Sequence, residues 1–290
     1  MNTIGFEQSF KAKLRAIAKE KKCDPADLWQ HLMVERFLVR LSRSMYSDHF
    51  ILKGATLLSK YIDIGRETRD IDFLARHVSN EVPMVRSIFQ EVAKIDLHDG
   101  FIFQDVQAKA LPHPHMKYPG TEISMSASCG RTRYKVEIDI GFGDTVEPIA
   151  QSLPLITYSK GALFESSVEL LCYPKEFIFA EKLETIVYRG AFNSRMKDFQ
   201  DLCSLIDFFK TASHSKVEET IRLVFQHRKT QLSLPISYSS DDLIQLQAFW
   251  TGYVKGMNEE RRKKQPETIN EIISIINDWL QHHTSLLRQS

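Results

Sequence analysis

The spacing of apolar residues changes twice along the chain, and each change marks a different kind of structure. Residues 7–22 read as a basic helix carrying Lys11, Lys13, Arg15, Lys19, Lys21 and Lys22. Asp24-Pro25 opens a second helix, with the aspartate placed to cap it and the proline suited to its first turn. Leu28, Leu32, Phe37, Leu38 and Leu41 then recur at helical spacing, which predicts a face packed on the domain that follows. From Phe50 to about Pro148 the pattern shortens to strand-like runs with helices between them. Ile71–Leu74 and Phe101–Phe103 are candidate strands and Asn80–Ile95 a helix, while Glu122–Ala127 and Tyr134–Ile140 form a pair turning at Cys129-Gly130. Mixed elements over this length predict a compact α/β domain. Beyond Tyr173-Pro174 the helical period returns in segments 175–190, 195–211, 215–230, 240–257 and 266–285, separated by Gly, Ser, Asn or Pro. The division expected is 1–160 for the α/β core with its leading helices and 161–290 for a helical domain, with the boundary somewhere in 149–173.

Composition narrows the picture without choosing a function. Hydrophobic residues make up 43% and charged residues 26% of the 290-residue chain, ordinary for a globular protein. The formal net charge of +1 means that any nucleic-acid contact has to come from a local patch. Two patches qualify: the first helix, with Lys11, Arg15, Lys19 and Lys22, and the run Arg261-Arg262-Lys263-Lys264, whose plainer reading is a solvated linker. Cys23, Cys129, Cys172 and Cys203 form no Cys-x-x-Cys pair, which argues against a zinc framework and makes a reducing cytoplasm the expected location. No signal core or membrane-spanning run is legible. His113 and His115, spaced by a proline, read as loop.

The chemistry concentrates at Asp70 and Asp72. On a strand, residues two apart face the same way, so these carboxylates could hold the same pair of Mg²⁺ ions. Upstream, Lys53-Gly54-Ala55-Thr56-Leu57 reads as a glycine turn opening a helix, which could present backbone N–H groups to the phosphates of a nucleoside triphosphate. Nucleotidyl transfer needs little more than positioning, hard cations on oxygen ligands and positive groups on the leaving pyrophosphate. Downstream, Lys135-Val136-Glu137-Ile138-Asp139-Ile140 places Glu137 and Asp139 on one face. Asp139 is the expected third metal ligand and the base for the attacking hydroxyl; Glu137 reads as an outward polar residue of a half-exposed edge strand.

Two later clusters add candidates. Lys182 lies mid-helix between Phe179, Leu183 and Ile186, where a lysine either snorkels to solvent or reaches an anion. In Asn193-Ser194-Arg195-Met196-Lys197-Asp198, Ser194 is placed to cap a helix, and Asp198 and Asp201 share a face. These acids either favour the helix dipole or set Asp198 against Lys182, orienting it on a triphosphate.

Together these stretches resemble the AbiEii/AbiGii-type nucleotidyltransferase toxins, the enzymatic half of abortive-infection toxin–antitoxin pairs. The matching segments are Glu35–Ser42, Leu52–Leu58, Arg66–Asp72, Ile138–Asp144, Ala180–Glu184 and Asn193–Phe199, in order over residues 30–205. The resemblance implies a polymerase-β-like α/β (α+β) nucleotidyltransferase core with a helical C-terminal domain. It implies Mg²⁺-dependent transfer of a nucleotide from a nucleoside triphosphate to an acceptor, the 3′ end of tRNA in some relatives, and a cognate antitoxin as partner. By position, Gly54 and the residues after it match the family's glycine turn, Asp70 and Asp72 its metal pair, and Lys182 and Asp198 its later catalytic residues. The family turn is usually Gly-Gly or Gly-Ser, and here it is Gly54-Ala55, so Thr56 is expected to supply the missing hydroxyl. The expected mechanism has Asp70, Asp72 and Asp139 holding two Mg²⁺ ions while Gly54, Ala55, Thr56, Arg66 and Lys182 hold the triphosphate. The rival readings are the same transfer to a protein or small molecule, and a non-catalytic nucleotide- or RNA-binding module.

Overall fold

A computed structural model describes residues 3–64, 68, 70–111, 119–210 and 216–286, with side chains from Phe10 onward. In chain order the elements are α1 (Thr3–Lys21), α2 (Pro25–Ser42), β1 (Phe50–Lys53), α3 (Gly54–Tyr61), β2 (Asp70–Ala75), α4 (Val82–Ala93), β3 (Phe101–Leu111), β4 (Gly120–Cys129), β5 (Thr132–Phe142), β6 (Ile149–Pro154), β7 (Thr157–Tyr158), β8 (Gly161–Ala162) and β9 (Ser167–Cys172). The helical part follows as α5 (Lys175–Arg189), α6 (Met196–Phe209), α7 (Val217–Arg228), α8 (Ser240–Lys255), α9 (Glu259–Arg262) and α10 (Ile269–His283). The chain divides into two compact units, Met1–Lys60 with Glu67–Tyr173, and Tyr61–Arg66 with Pro174–Ser290. Strand β9 keeps the segment just before Tyr173, which its sequence groups with the helices, in the sheet unit.

The first unit is built on a seven-stranded mixed sheet in the order β3-β4-β5-β2-β1-β9-β6. Its parallel pairs are β2 with β5 and β1 with β9; the other neighbours run antiparallel. Strict alternation fixes which face is buried. In β5, Val136, Ile138 and Ile140 are fully buried and face inward with Ile123 and Met125 of β4, so the intervening residues emerge on the opposite face. Helices α2 and α4 cover the apolar face, where Phe37, Phe50, Phe89 and Phe103 meet at ring-centroid separations of 5.0–5.9 Å. As expected, Asp24 caps α2 by accepting from the Ala26 amide at 2.6 Å, with Pro25 in the first turn.

Helix α2 also buries charge. Asp99 accepts from Arg36 Nε at 2.7 Å and from both Arg40 Nη atoms at 2.9 Å, and all three side chains are at most 2% exposed. Glu165 pairs with Arg36 and Arg43 on the same cluster. Burial alone would push the Asp99 carboxyl up, but Arg40, the Phe101 amide and Arg36 outweigh it and hold its pKa below the usual carboxylate range. Next to it, buried Glu35 accepts from Lys60 Nζ at 2.8 Å and from the Ile156 amide at 2.9 Å, tying α2 to α3 and to the chain after β6.

The second unit is helical. Its apolar centre brings Phe179 of α5 and Phe209 of α6 against Trp279 of α10, at centroid distances of 5.1–5.9 Å. Helix α8 begins in a capping box between Ser239 and Asp242. The run Arg261–Lys264, expected as a linker, begins in the last two residues of the short helix α9, with Lys263 and Lys264 paired to Glu259 and Glu260. No helix among the described residues is long and apolar enough to cross a membrane.

Candidate active site

Strand register brings the first three candidate carboxylates together. In the parallel β2–β5 pair Asp70 stands beside Glu137 and Asp72 beside Asp139, and in the antiparallel β4–β5 pair Glu122 stands on the other side of Asp139. Neighbouring strands lie about 4.8 Å apart, so Asp72, Asp139 and Glu122 form a row of acids across the polar face. Strand β5 is therefore interior rather than the edge strand expected for Glu137. Glu137 pairs with Lys135, and Glu122 with Lys109 at 2.9 Å. Burial, then the negative charges of Asp72, Glu122, Asp70 and Glu137, push the Asp139 carboxyl up to about 6.

The glycine turn is dictated by this row. Gly54, the first residue of α3, has φ +68°, a left-handed conformation costly for other residues. A Cβ there would also fall 1.9 Å from Asp72 Oδ2, so the Asp72 carboxylate occupies the space that only glycine leaves. Ala55 follows in the first turn of α3. The Thr56 hydroxyl, expected to replace a missing family hydroxyl, is instead buried and donates to the Asp70 carbonyl at 2.6 Å, with the Thr68 hydroxyl 3.4 Å away. It pins α3 to the strand carrying the two aspartates. Arg66, His113 and His115 lie outside the described residues.

Sequence reasoning passed over several neighbours. Lys53 ends β1 in register with Asp72. Its ammonium sits 3.3 Å from Asp144 Oδ2 and 3.4 Å from the Tyr173 hydroxyl, and 4.8 Å from the Tyr173 ring centroid. The available signal was its place directly before the glycine turn.

In the helical unit Lys182 of α5 does not snorkel. Its Nζ lies 2.9 Å from Asp198 Oδ1 and 2.8 Å from Asp201 Oδ2, both on α6 and almost fully buried. Burial alone would lower the lysine pKa, but the two carboxylates hold it above the ordinary value; Asp198, also bound by Arg195 Nε at 2.9 Å, is held below the usual range despite its burial. Asp201 was read only as sharing a face with Asp198, yet it is an equal partner. Ser194 does not cap α6: the helix starts at Met196 without a side-chain cap, and Asn193 Oδ1 orders the approach by accepting the Arg195 amide at 3.0 Å.

Among the described residues no group of three or more His, Cys, Asp or Glu side chains is gathered into a metal cage. The donor chemistry of the β2–β5 face nevertheless suits a hard divalent cation: carboxylate oxygens only, crowded enough to raise the pKa of Asp139.

A family model described as the nucleotidyl transferase AbiEii toxin of type IV toxin–antitoxin systems matches residues 36–274. No curated protein is significantly similar to the chain. Among solved structures, the nucleotidyltransferase toxin MenT4 of Mycobacterium tuberculosis has a similar fold, with a TM-score of 0.55, 14% identity, and coverage of 96% of this chain and 90% of that one. The protein JHP933 of Helicobacter pylori is similar at a TM-score of 0.52 and 14% identity, over 92% of this chain and 95% of that one.

Proposed function

The chain belongs to the AbiEii nucleotidyl transferase toxin family, and from that premise we propose that it moves a nucleotide from a nucleoside triphosphate to the 3′ end of an RNA, a tRNA in the simplest case, in the cytoplasm. Membership makes it a nucleotidyltransferase of a toxin–antitoxin system, with a nucleoside triphosphate as donor and an antitoxin as partner. The observation that carries the reaction is the juxtaposition of Asp72 with Asp139 on parallel strands, with Gly54 leaving room for the Asp72 carboxylate.

In this reading Asp70, Asp72 and Asp139 would hold Mg²⁺, which when bound supplies positive charge to the triphosphate and acidifies the acceptor hydroxyl. The chain's own residues do the rest. Gly54 and Ala55 offer backbone amides at the start of α3 to the phosphates, Thr56 fixes that helix against Asp70, and Arg66 and Lys182 are cationic groups for the pyrophosphate. Asp139 takes the proton of the acceptor hydroxyl. That oxygen then bonds to the α-phosphorus as the bond to pyrophosphate breaks. Asp198 and Asp201 act through Lys182, keeping the ammonium charged and fixed in place.

The test is transfer of α-phosphate label from each of the four triphosphates into total RNA, lysate protein and small acceptors. Label in RNA of tRNA size is the expected outcome. Label confined to protein or a small molecule would discard the RNA acceptor and keep the transferase. No transfer to any acceptor, with triphosphate or RNA still bound, would indicate a binding module.

A further inference from the structure

The polar face that carries Asp139 does not end there. Along β5 the residues on that face continue as Glu137, Lys135 and Arg133, paired across to Ser124, Ser126 and Ser128 of β4. At the far end lies a cavity of about 370 Å³, lined by Asp105, Ser124, Ser126, Arg133, Tyr134 and Lys135. That volume is within the ~300–1,000 Å³ of small-ligand pockets. Three features indicate what it takes.

First, it is cationic at its exposed rim. Arg131, Arg133 and Lys135 crowd the end of the β4–β5 hairpin and all three are exposed. Arg133 has no ion-pair partner among the described residues, and Lys135 is held only by the partly exposed Glu137, a pairing of little strength in water. Second, its lining carries hydrogen-bonding groups. Strand β3 bulges between Gln104 and Gln107, and Asp105 within the bulge adopts φ +57° and lines the cavity together with Ser124 and Ser126. A bulge of this kind re-aims a side chain at a cost in strand regularity. Third, Lys135 lies four residues from Asp139 on one strand, about 13 Å at the usual strand rise. That is the reach of a few nucleotides.

We infer that this cavity is the acceptor subsite: it holds an unpaired nucleotide a short distance upstream of the reacting 3′ hydroxyl. Arg133 and Lys135 take its phosphate, and Asp105 with the serines takes the edge of a base bearing an exocyclic amino group. Single-stranded ends are read in this way, by cations on the backbone and by side chains on exposed base edges. A carboxylate accepts from the amino group of cytosine or adenine, whereas uracil presents a carbonyl oxygen in place of cytosine's amino group and repels it. The inference rests on the RNA-acceptor reading above, and it places the contact on the hairpin rather than on α1 or the α9 segment.

The experiment uses the full chain, labelled triphosphate and tRNA transcripts whose unpaired 3′ nucleotides carry either cytosine or uracil upstream of the terminal residue. For R133E/K135E the KM for RNA should rise by about tenfold or more, and the salt slope of binding should flatten by about one or two. The KM for triphosphate and the melting temperature should stay at wild-type values. Asp105→Gly, which the left-handed backbone accepts, should erase the preference for cytosine over uracil while leaving the cytosine transcript a substrate. An unchanged KM for RNA in R133E/K135E, or an unchanged base preference in Asp105→Gly, would overturn the subsite while RNA labelling by the wild type upheld the acceptor class. Absence of RNA labelling by the wild type itself would remove the RNA reading and the subsite together.

Discussion

The sheet unit contains two dense groups of charge, and they are built on opposite terms. Around Asp99 every charge has a counter-charge: Arg36 and Arg40 converge on one carboxylate, and Glu165 balances Arg36 and Arg43. Around Asp139 the charges are alike, with Asp70, Asp72, Glu122 and Glu137 all raising its pKa and the cations Lys109 and Lys135 engaged at the margins. The first group lowers its buried carboxyl's pKa and the second raises it. A compensated cluster can hold α2 to the strands without outside help. A cluster of like charges is the arrangement that a bound cation or substrate completes.

Variants that remove one member of each group should therefore diverge. Asp70→Ala or Asp72→Ala should abolish label transfer, and any growth inhibition, while the protein stays folded. For Asp70→Ala, relief of repulsion should raise stability by up to about 1 kcal/mol, read as a higher melting temperature. Full activity in either variant would end the reading of these residues as the reaction's carboxylates. Asp99→Ala should do the reverse. Leaving buried Arg40 without its acid, and Arg36 with Glu165 alone, should cost about 3–5 kcal/mol in denaturant unfolding, with transfer per folded molecule retained.

Lys182 tests the comparison in the helical unit, where a compensated cluster is also proposed to act on substrate. Lys182→Ala should slow transfer about 100-fold, as for loss of one transition-state charge contact. It should also lower the melting temperature, because the buried carboxylates of Asp198 and Asp201 lose the ammonium between them. Lys182→Arg separates the two effects: a planar guanidinium can restore the ion pairs and the stability but should restore the rate poorly. A near-wild-type rate in Lys182→Ala would make the triad purely structural.

The smallest effect is in acid. Because the folded pKa of Asp99 is below its unfolded value, its contribution to stability is complete above the unfolded carboxylate range, near pH 4, and is lost as pH falls through the depressed folded value. Unfolding midpoints measured from pH 6 downward should therefore fall less steeply below pH 4 in Asp99→Asn than in wild type. Parallel curves would show that the ion cluster does not set this limb.

Local pattern made the faces legible and left the neighbours hidden. Alternation in Asp70-Ile71-Asp72 and in Val136 to Ile140 predicts which residues share a face, and the structure agrees. That β5 lies between β4 and β2, so that Asp139 meets both Asp72 and Glu122, depends on pairing between distant segments that no local period encodes. For the same reason β9, whose partner is β1, was not legible in the segment read as a boundary. The Glu35–Ser42 stretch, one of the family-like segments, carries buried charges whose partners Asp99, Lys60 and Glu165 come from elsewhere in the chain, so its polar residues secure the fold rather than the chemistry. Lys182 and Asp198 were paired correctly in expectation, whereas Asp201, one helical turn on, is distinguished only by the three-dimensional packing of α5 against α6.

The most direct measurement is the melting temperature of wild type and Asp72→Asn, each with and without Mg²⁺. The expected result is that Mg²⁺ raises the wild-type value and leaves Asp72→Asn unmoved. Equal shifts in both proteins would contradict the claim that these carboxylates hold a cation.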